Sequence, residues 1–399
     1  MDLNSRTIYC NKASDRWLST RLEGIASCVV GLAGFFATSV VVSNGASIGN
    51  PSNFASFAGV SLSYAVTATG IMQYVVRAFA QVEAAMNSVE RITYYTEEIP
   101  QEAAMTSKEL EIEKPSNQMN TQQVVVAAAG GVVHPAKEWP TSGSITLTGL
   151  KMRYRPETPL VLQGLDVEIN AGERVGIVGR TGSGKSSMLL VLMRLVEPFF
   201  TDDELKSDTY KAPLLIDGVD VMRIGLFDLR SKIGIIPQSP ALFSGTIRSN
   251  LDPFDNFSDQ EIWSALEKCR MKEAVAMMTD GLLSRVAEYG ENLSQGQRQL
   301  LCLGRAVLKK AHILLLDEAT SSVDFETDKL IQTTIREAFK GCTVLTIAHR
   351  VNTIMDSDKI LVMNDGIVAE FDAPKVLLQN KESIFSEIVS HANGDDEEE

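Results

Sequence analysis

At 399 residues, 44% of them hydrophobic, the chain is long enough for two domains and for a core that needs no metal or disulfide. Its five cysteines, Cys10, Cys28, Cys269, Cys302 and Cys342, lie far apart with no Cys-x-x-Cys pair, which argues against a zinc site or a secreted disulfide framework. A formal net charge of -14 with no basic stripe makes it a poor general nucleic-acid binder, and no nucleic-acid partner is expected.

No charged residue occurs from Gly24 to Val76. Two apolar runs fill that window, Ile25 to Val42 and Phe54 to Val76, each near the ~20 residues that span a bilayer. Between them, Ser43 to Asn53 is turn chemistry throughout. Basic residues flank the outer ends of the pair, Lys12, Arg16 and Arg21 before it and Arg77 and Arg91 after it. The positive-inside bias then places both ends of the hairpin in the cytoplasm. Beyond Arg77 the residues Phe79, Val82, Met86, Val89 and Ile92 recur at helical steps. The expectation is a partial transmembrane domain over 1–96, with helices at about 20–42 and 54–95, the second extending into the cytoplasm. The expected partner of this part is a lipid bilayer.

Residues 97–143 mix charge, Pro, Gln and small residues without a period and are read as a linker. From Ser144 onward β-rich runs alternate with helical ones, which predicts an α/β domain with a substantially parallel sheet over 144–391. Thr201 to Lys211 reads as a surface loop inside it, and 392–399 as a solvated acidic tail.

The chemistry begins where the apolar strand Val175-Gly-Ile-Val178 runs into Gly179-Arg180-Thr181-Gly182-Ser183-Gly184-Lys185-Ser186-Ser187 and then a helical stretch. Strand, glycine loop and helix together make a P-loop. The glycines let backbone amides wrap phosphate oxygens, and the helix N-terminus adds positive potential. Lys185 is expected at the outer phosphates and the Ser186 hydroxyl on Mg²⁺, so the cofactors are ATP and Mg²⁺. Ile313 to Leu316 is apolar throughout, as in a strand covered on both faces, and ends at Asp317 and Glu318. Asp317 is the candidate to hold Mg²⁺, largely through water, and Glu318 the candidate base for the attacking water. Gln238, after Gly234-Ile-Ile-Pro237, is a candidate for Mg²⁺ or water, and His349, after Val344 to Ile347, for the outer phosphate. Tyr154 is a candidate to stack on adenine, with an ordinary exposed strand tyrosine as the alternative. His134, His312 and His391 are assigned nothing.

With these motifs in this order, the chain resembles the ABC transporters of subfamily C, the multidrug-resistance-associated type. The resemblance also rests on Arg16 to Glu23, Val89-Glu-Arg91, Trp139-Pro140, Tyr154-Arg-Pro156, Ile224 to Arg230 and Phe243 to Phe254. It is to the C-terminal end of such a protein: the last two transmembrane helices and the second nucleotide-binding domain, an α/β P-loop NTPase of ABC type. It implies a signature at Leu293-Ser294-Gln295-Gly296-Gln297, a D-loop at Asp324, a Q-loop at Gln238 and a switch histidine at His349. The signature departs from Leu-Ser-Gly-Gly-Gln at Gln295, which by analogy assigns it to the weaker of two composite sites. Tyr74 and Arg77, near the end of the second apolar run, read equally as contacts to an organic anion or as interfacial anchors. The resemblance implies an ATPase that exports amphipathic organic anions or conjugates, with the ATPase domain in the cytoplasm beneath a plasma or vacuolar-type membrane. It also implies partners: a second nucleotide-binding domain and the remaining transmembrane helices. The alternative function is an ATP-sensing regulatory subunit of a channel or transporter. A soluble ABC ATPase of DNA repair or translation is a third reading, against which the membrane hairpin and the acidic balance both count.

Overall fold

The computed structural model describes residues 3–43, 51–99, 102–112, 131–201, 210–317, 325–348 and 354–395. These form two compact units, residues 1–101 and 102–399.

The first unit is two long helices packed on each other, α1 (Leu3–Ser43) and α2 (Pro51–Thr93), with α2 passing into a π-helical turn at Tyr94–Glu98. α1 begins well ahead of the expected 20–42 because no Gly or Pro breaks the chain before Gly24. Among the described residues one span, Lys12–Val40 within α1, is long and apolar enough to cross a membrane, with a mean hydropathy of 1.5. α2 carries Ser61, Ser63, Thr67 and Thr69 within its apolar run. Thr67 and Thr69 each donate to a carbonyl four residues back, Ser63 at 2.9 Å and Ala65 at 2.8 Å, so these hydroxyls are satisfied within the helix.

The second unit is built on two large sheets and a two-residue antiparallel pair, β7 (Gly245–Thr246) with β8 (Arg285–Val286). The larger has the order β12-β11-β3-β10-β9-β6: β3 (Arg174–Val178), β6 (Ile233–Ile236), β9 (Ile313–Asp317), β10 (Thr343–Ile347), β11 (Lys359–Asn364) and β12 (Ile367–Asp372). Every pairing is parallel except the β11–β12 hairpin at one edge. The parallel strands are covered on both faces, and β9 shows how. Ile313 and Leu315 enter one core cluster while Leu314 and Leu316 enter another, as a side-chain period of two requires. The smaller sheet, β2-β1-β4-β5, is antiparallel throughout: β1 (Ile145–Met152), β2 (Leu162–Ile169), β4 (Leu214–Ile216) and β5 (Val219–Asp220). It shares the first core cluster with the helix Lys185–Leu192, whose Met188, Leu189, Val191 and Leu192 are all buried. That second sheet goes beyond the expected parallel α/β pattern.

The structure departs from the expectation of a structureless linker over 97–143. Residues 102–112 dock on the second unit: Ala104 and Leu110 are buried, and the Leu226 and Phe227 amides donate to the Ala104 and Met105 carbonyls. The Ser107 hydroxyl, in α3 (Ser107–Ile112), donates to Asp228 at 2.6 Å and accepts from the Gly225 amide at 3.0 Å. These bonds satisfy amides at the start of the helix Leu226–Arg230 that have no partner within it. Further on, Trp139 is buried and donates to the Ile216 carbonyl at 3.1 Å, and Ser142, Gly143 and Ser144 close on Asp217. The reason is local. A few apolar and hydroxyl side chains suffice to dock a short segment, although they show no period. Residues 113–130 lie outside the described residues, as do 202–209 of the expected surface loop and 396–399 of the tail. The last helix, Ile384–Asp395, carries the chain past the expected boundary at 391.

Candidate functional site

Because the strands are parallel, their carboxyl ends share one edge of the sheet. The register aligns Ile177 of β3, Ile347 of β10 and Asp317 of β9, and it sets Ile236 of β6 beside Leu316. The chain leaves β3 into the glycine loop, β9 at Asp317, and β6 toward Gln238. Ligands of open parallel sheets bind at this edge, because the loops that follow the strands converge there.

The glycine loop is shaped by contacts that exclude side chains. At Gly179, with φ +150°, a Cβ would lie 2.2 Å from the Met363 carbonyl oxygen. At Gly184, with φ +98°, it would lie 2.8 Å from the Leu162 side chain. The helix Lys185–Leu192 starts immediately after, with the Met188 amide donating to the Gly184 carbonyl. Lys185 is nearly buried and folds back across the loop, its Nζ donating to the Gly179 carbonyl at 2.7 Å and the Arg180 carbonyl at 3.0 Å. Arg180 and Thr181 are exposed, and Arg180 reaches Glu387 of the last helix at 3.4 Å. Ser183 is buried and its hydroxyl has no partner. Gly182 is exposed.

Two further pairs belong to this edge. The Ser186 hydroxyl donates to Asp317 Oδ1 at 3.3 Å. The Tyr154 hydroxyl and Ser187 Oγ are 2.9 Å apart, which fixes the ring beside the start of the P-loop helix while leaving Tyr154 53% exposed. Gln238 is exposed, and its backbone carbonyl accepts from the Gln299 side chain at 3.2 Å. Glu318, Asp324 and His349 lie outside the described residues. Burial pushes the Cys269 thiol up to about 12 and raises Cys302 as well, so neither is poised as a thiolate nucleophile.

Ser294, Gln295, Gly296 and Gln297 open the helix Gln295–Lys309. Ser294 is its N-cap, accepting from the Gln297 amide at 3.2 Å, and the Gln297 side chain accepts from the Ser294 amide at 3.0 Å. This capping box satisfies the Ser294 and Gln297 amides at the helix start. The helix belongs to the second core cluster, whereas the P-loop helix belongs to the first.

Residues 162–321 match the ABC transporter family. The chain shares this likeness over 160 of its 399 residues. Over its whole length it is 43% identical to the multidrug resistance protein mrp-7 of Caenorhabditis elegans, covering 100% of this chain and 24% of that protein. It is 42% identical over 385 residues to ATP-binding cassette sub-family C member 2 of Rattus norvegicus, covering 96% of this chain and 22% of that protein. It is 43% identical over 390 residues to ABC transporter C family member 13 of Oryza sativa subsp. indica, covering 98% and 23%. The chain thus spans about a quarter of the length of these relatives. The likeness to subfamily C read from its motifs extends across both units.

Gln299 was not legible as a functional residue. It looks like one more polar residue after the signature. The available signal was its place: Leu300, Leu301 and Leu303 mark a buried helix face that Gln299 joins.

Proposed function

We propose that this chain is the ATP-hydrolysing end of a subfamily C exporter, with the nucleotide held at the carboxyl edge of the parallel sheet. The observation that carries the reading is the meeting of Ser186 with Asp317, 3.3 Å apart, at the mouth of the loop that Lys185 spans. A hydroxyl facing a carboxylate is an oxygen donor set that suits Mg²⁺, which usually takes few protein ligands and keeps water and phosphate as the rest. Bound there, Mg²⁺ would neutralise phosphate charge. Lys185 would exchange its two carbonyl acceptors for phosphate oxygens, since an ammonium forms stronger bonds to an anion. The amides of 179–187 would line the phosphates, and Tyr154 would present its ring to the base. Gln238 would orient metal or water, Glu318 would polarise the attacking water, and His349 would contact the outer phosphate. Ser294 to Gln297 and Asp324 would face nucleotide on a partner domain.

The transported species would be an amphipathic organic anion or conjugate, as the resemblance to subfamily C implies. α1 and α2 would lie in a bilayer of plasma or vacuolar type, the ATPase domain in the cytoplasm. The remaining transmembrane helices and a second nucleotide-binding domain would complete the path. The test is Glu318→Gln in this chain combined with those partners, in inside-out vesicles supplied with a fluorescent organic anion. ATP binding should persist while turnover at this site falls about 100- to 10,000-fold, the usual share of a general base, and anion uptake falls with it. Normal turnover with the partner's own site disabled would overturn Glu318 as the base and favour the ATP-sensing regulatory role.

A further inference from the structure

Gln299 sits one turn into the helix Gln295–Lys309 and is 3% exposed. Its amide is only half satisfied. Nε2 donates to the Gln238 carbonyl at 3.2 Å, while Oε1 is buried without a partner among the described residues. Burying an unpaired amide oxygen costs stability, and a methionine of similar volume would fill the same space without that cost. Core packing therefore does not account for the amide. What the amide holds is the loop that carries Gln238.

That contact is one of two. Gln299 and Arg305 lie six positions apart on the same helix. Arg305 Nη1 donates to the Ala241 carbonyl at 2.7 Å. Arg305 is itself fixed, its Nε on the Asn250 carbonyl at 2.6 Å and its Nη2 on the Asn250 side chain at 2.9 Å. Residues 238–241 are thus held at both ends. The Arg305 end is fixed by its bonds to Asn250, whose chain neighbour Leu251 lies in the second core cluster. The Gln299 end includes the bond from Nε2 to the Gln238 carbonyl, and it lies between two functional elements. Gln238 follows the strand next to β9 and Asp317, and the signature turn is the first turn of Gln299's own helix.

We propose that Gln299 is a positioning residue whose bond to the Gln238 carbonyl makes the Gln238 loop and the signature turn move together. Nucleotide engaged by the P-loop and Gln238 is then felt at Ser294 to Gln297, and a ligand at the signature turn is felt at Gln238 by the same coupling. In an arrangement of two such domains, the link joins the site this chain owns to the site its signature completes on the partner. The inference rests on the reading of the P-loop and Gln238 as one nucleotide site.

The test is amide hydrogen exchange on the purified whole chain in detergent, with and without Mg-ATP. The variants are Gln299→Met and Lys185→Ala. In the wild type, Mg-ATP should slow exchange both in the P-loop and at residues 294–298. In Gln299→Met the P-loop slowing and the nucleotide affinity should remain, melting should occur no lower than in the wild type, and the slowing at 294–298 should drop by at least ~5-fold, the low end of ordinary coupling. Equal slowing at 294–298 in both proteins, or none there in the wild type, overturns the proposal. If Gln299→Met melts lower, Gln299→Asn decides: it keeps the amide but is too short to reach Gln238, and retained coupling in it also overturns the proposal. Lys185→Ala should abolish nucleotide binding. If it binds as the wild type does, the nucleotide-site reading fails instead, a result separable from normal binding with coupling intact in Gln299→Met.

Discussion

The two units place apolar side chains in opposite ways. In β9, Ile313, Leu314, Leu315 and Leu316 are at most 2% exposed, because sheet neighbours and helices of the same chain cover both faces. In α1, Phe35 and Phe36 are 66% and 65% exposed, in a window that is otherwise free of charge. The second unit therefore supplies its own cover, while the first is apolar on the outside. A large apolar surface of that kind calls for a partner or a lipid phase. The same residue types thus report two solvents, and substitutions should separate them.

The largest expected effect is in β9. Leu315→Ala removes a fully buried side chain from a strand that cannot collapse onto the gap, and should cost about 2–5 kcal/mol of the second unit's stability. Phe35→Ala should leave that unit's melting temperature where it is. Differential scanning calorimetry of both variants checks the pair, and an equal drop in both would break the contrast. Next comes Phe35→Arg. Near the middle of the apolar run, Arg should cost about 2.5–3.5 kcal/mol of membrane insertion on a translocon scale. The measurement is the inserted fraction of α1 in a glycosylation-mapping assay, and unchanged insertion would mean that the exposed aromatics face something other than lipid.

How much of this was readable in the sequence depended on the length of chain each feature needs. The P-loop was legible because strand, glycines and helix are contiguous, and Gly179 and Gly184 have roles fixed within a few ångströms. Asp317 was legible from the fully apolar run that ends in it. The docking of 102–112 was not, since Ser107 meets Asp228 across 121 positions and Ala104 and Leu110 show no period. The antiparallel sheet was hidden for a related reason: β1 bends at register shifts and its partner β4 lies beyond a polar insertion. Arg194 reads as a surface cation but is 1% exposed, its guanidinium bound to Glu197 and to the Val221 and Ile224 carbonyls. Only the fold provides those acceptors.

The smallest effect sharpens the comparison at the point where the docked segment enters the β-sheets. Asp217 and Gly218 form the two-residue turn between β4 and β5, with φ +47° and +73°. Desolvation raises the Asp217 carboxyl, but bonds from the Ser142 hydroxyl and from the amides of Ser142, Gly143 and Ser144 outweigh it and hold the group below the ordinary carboxylate range. A carboxylate whose folded pKa is depressed stabilises the fold above its unfolded value of about 3.9 and loses that contribution as the pH falls toward its folded value. Asp217→Asn keeps the turn, because Asn also accepts positive φ, and removes the charge. It should therefore destabilise the second unit at pH 7 by about 1–2 kcal/mol, a figure discounted for the carboxylate's partial exposure. The gap from wild type should narrow steadily below about pH 4. Urea melts of both proteins from pH 7 down to pH 3 measure it. A constant gap across that range would mean that the Asp217 charge does not hold Ser142 to Ser144 in place.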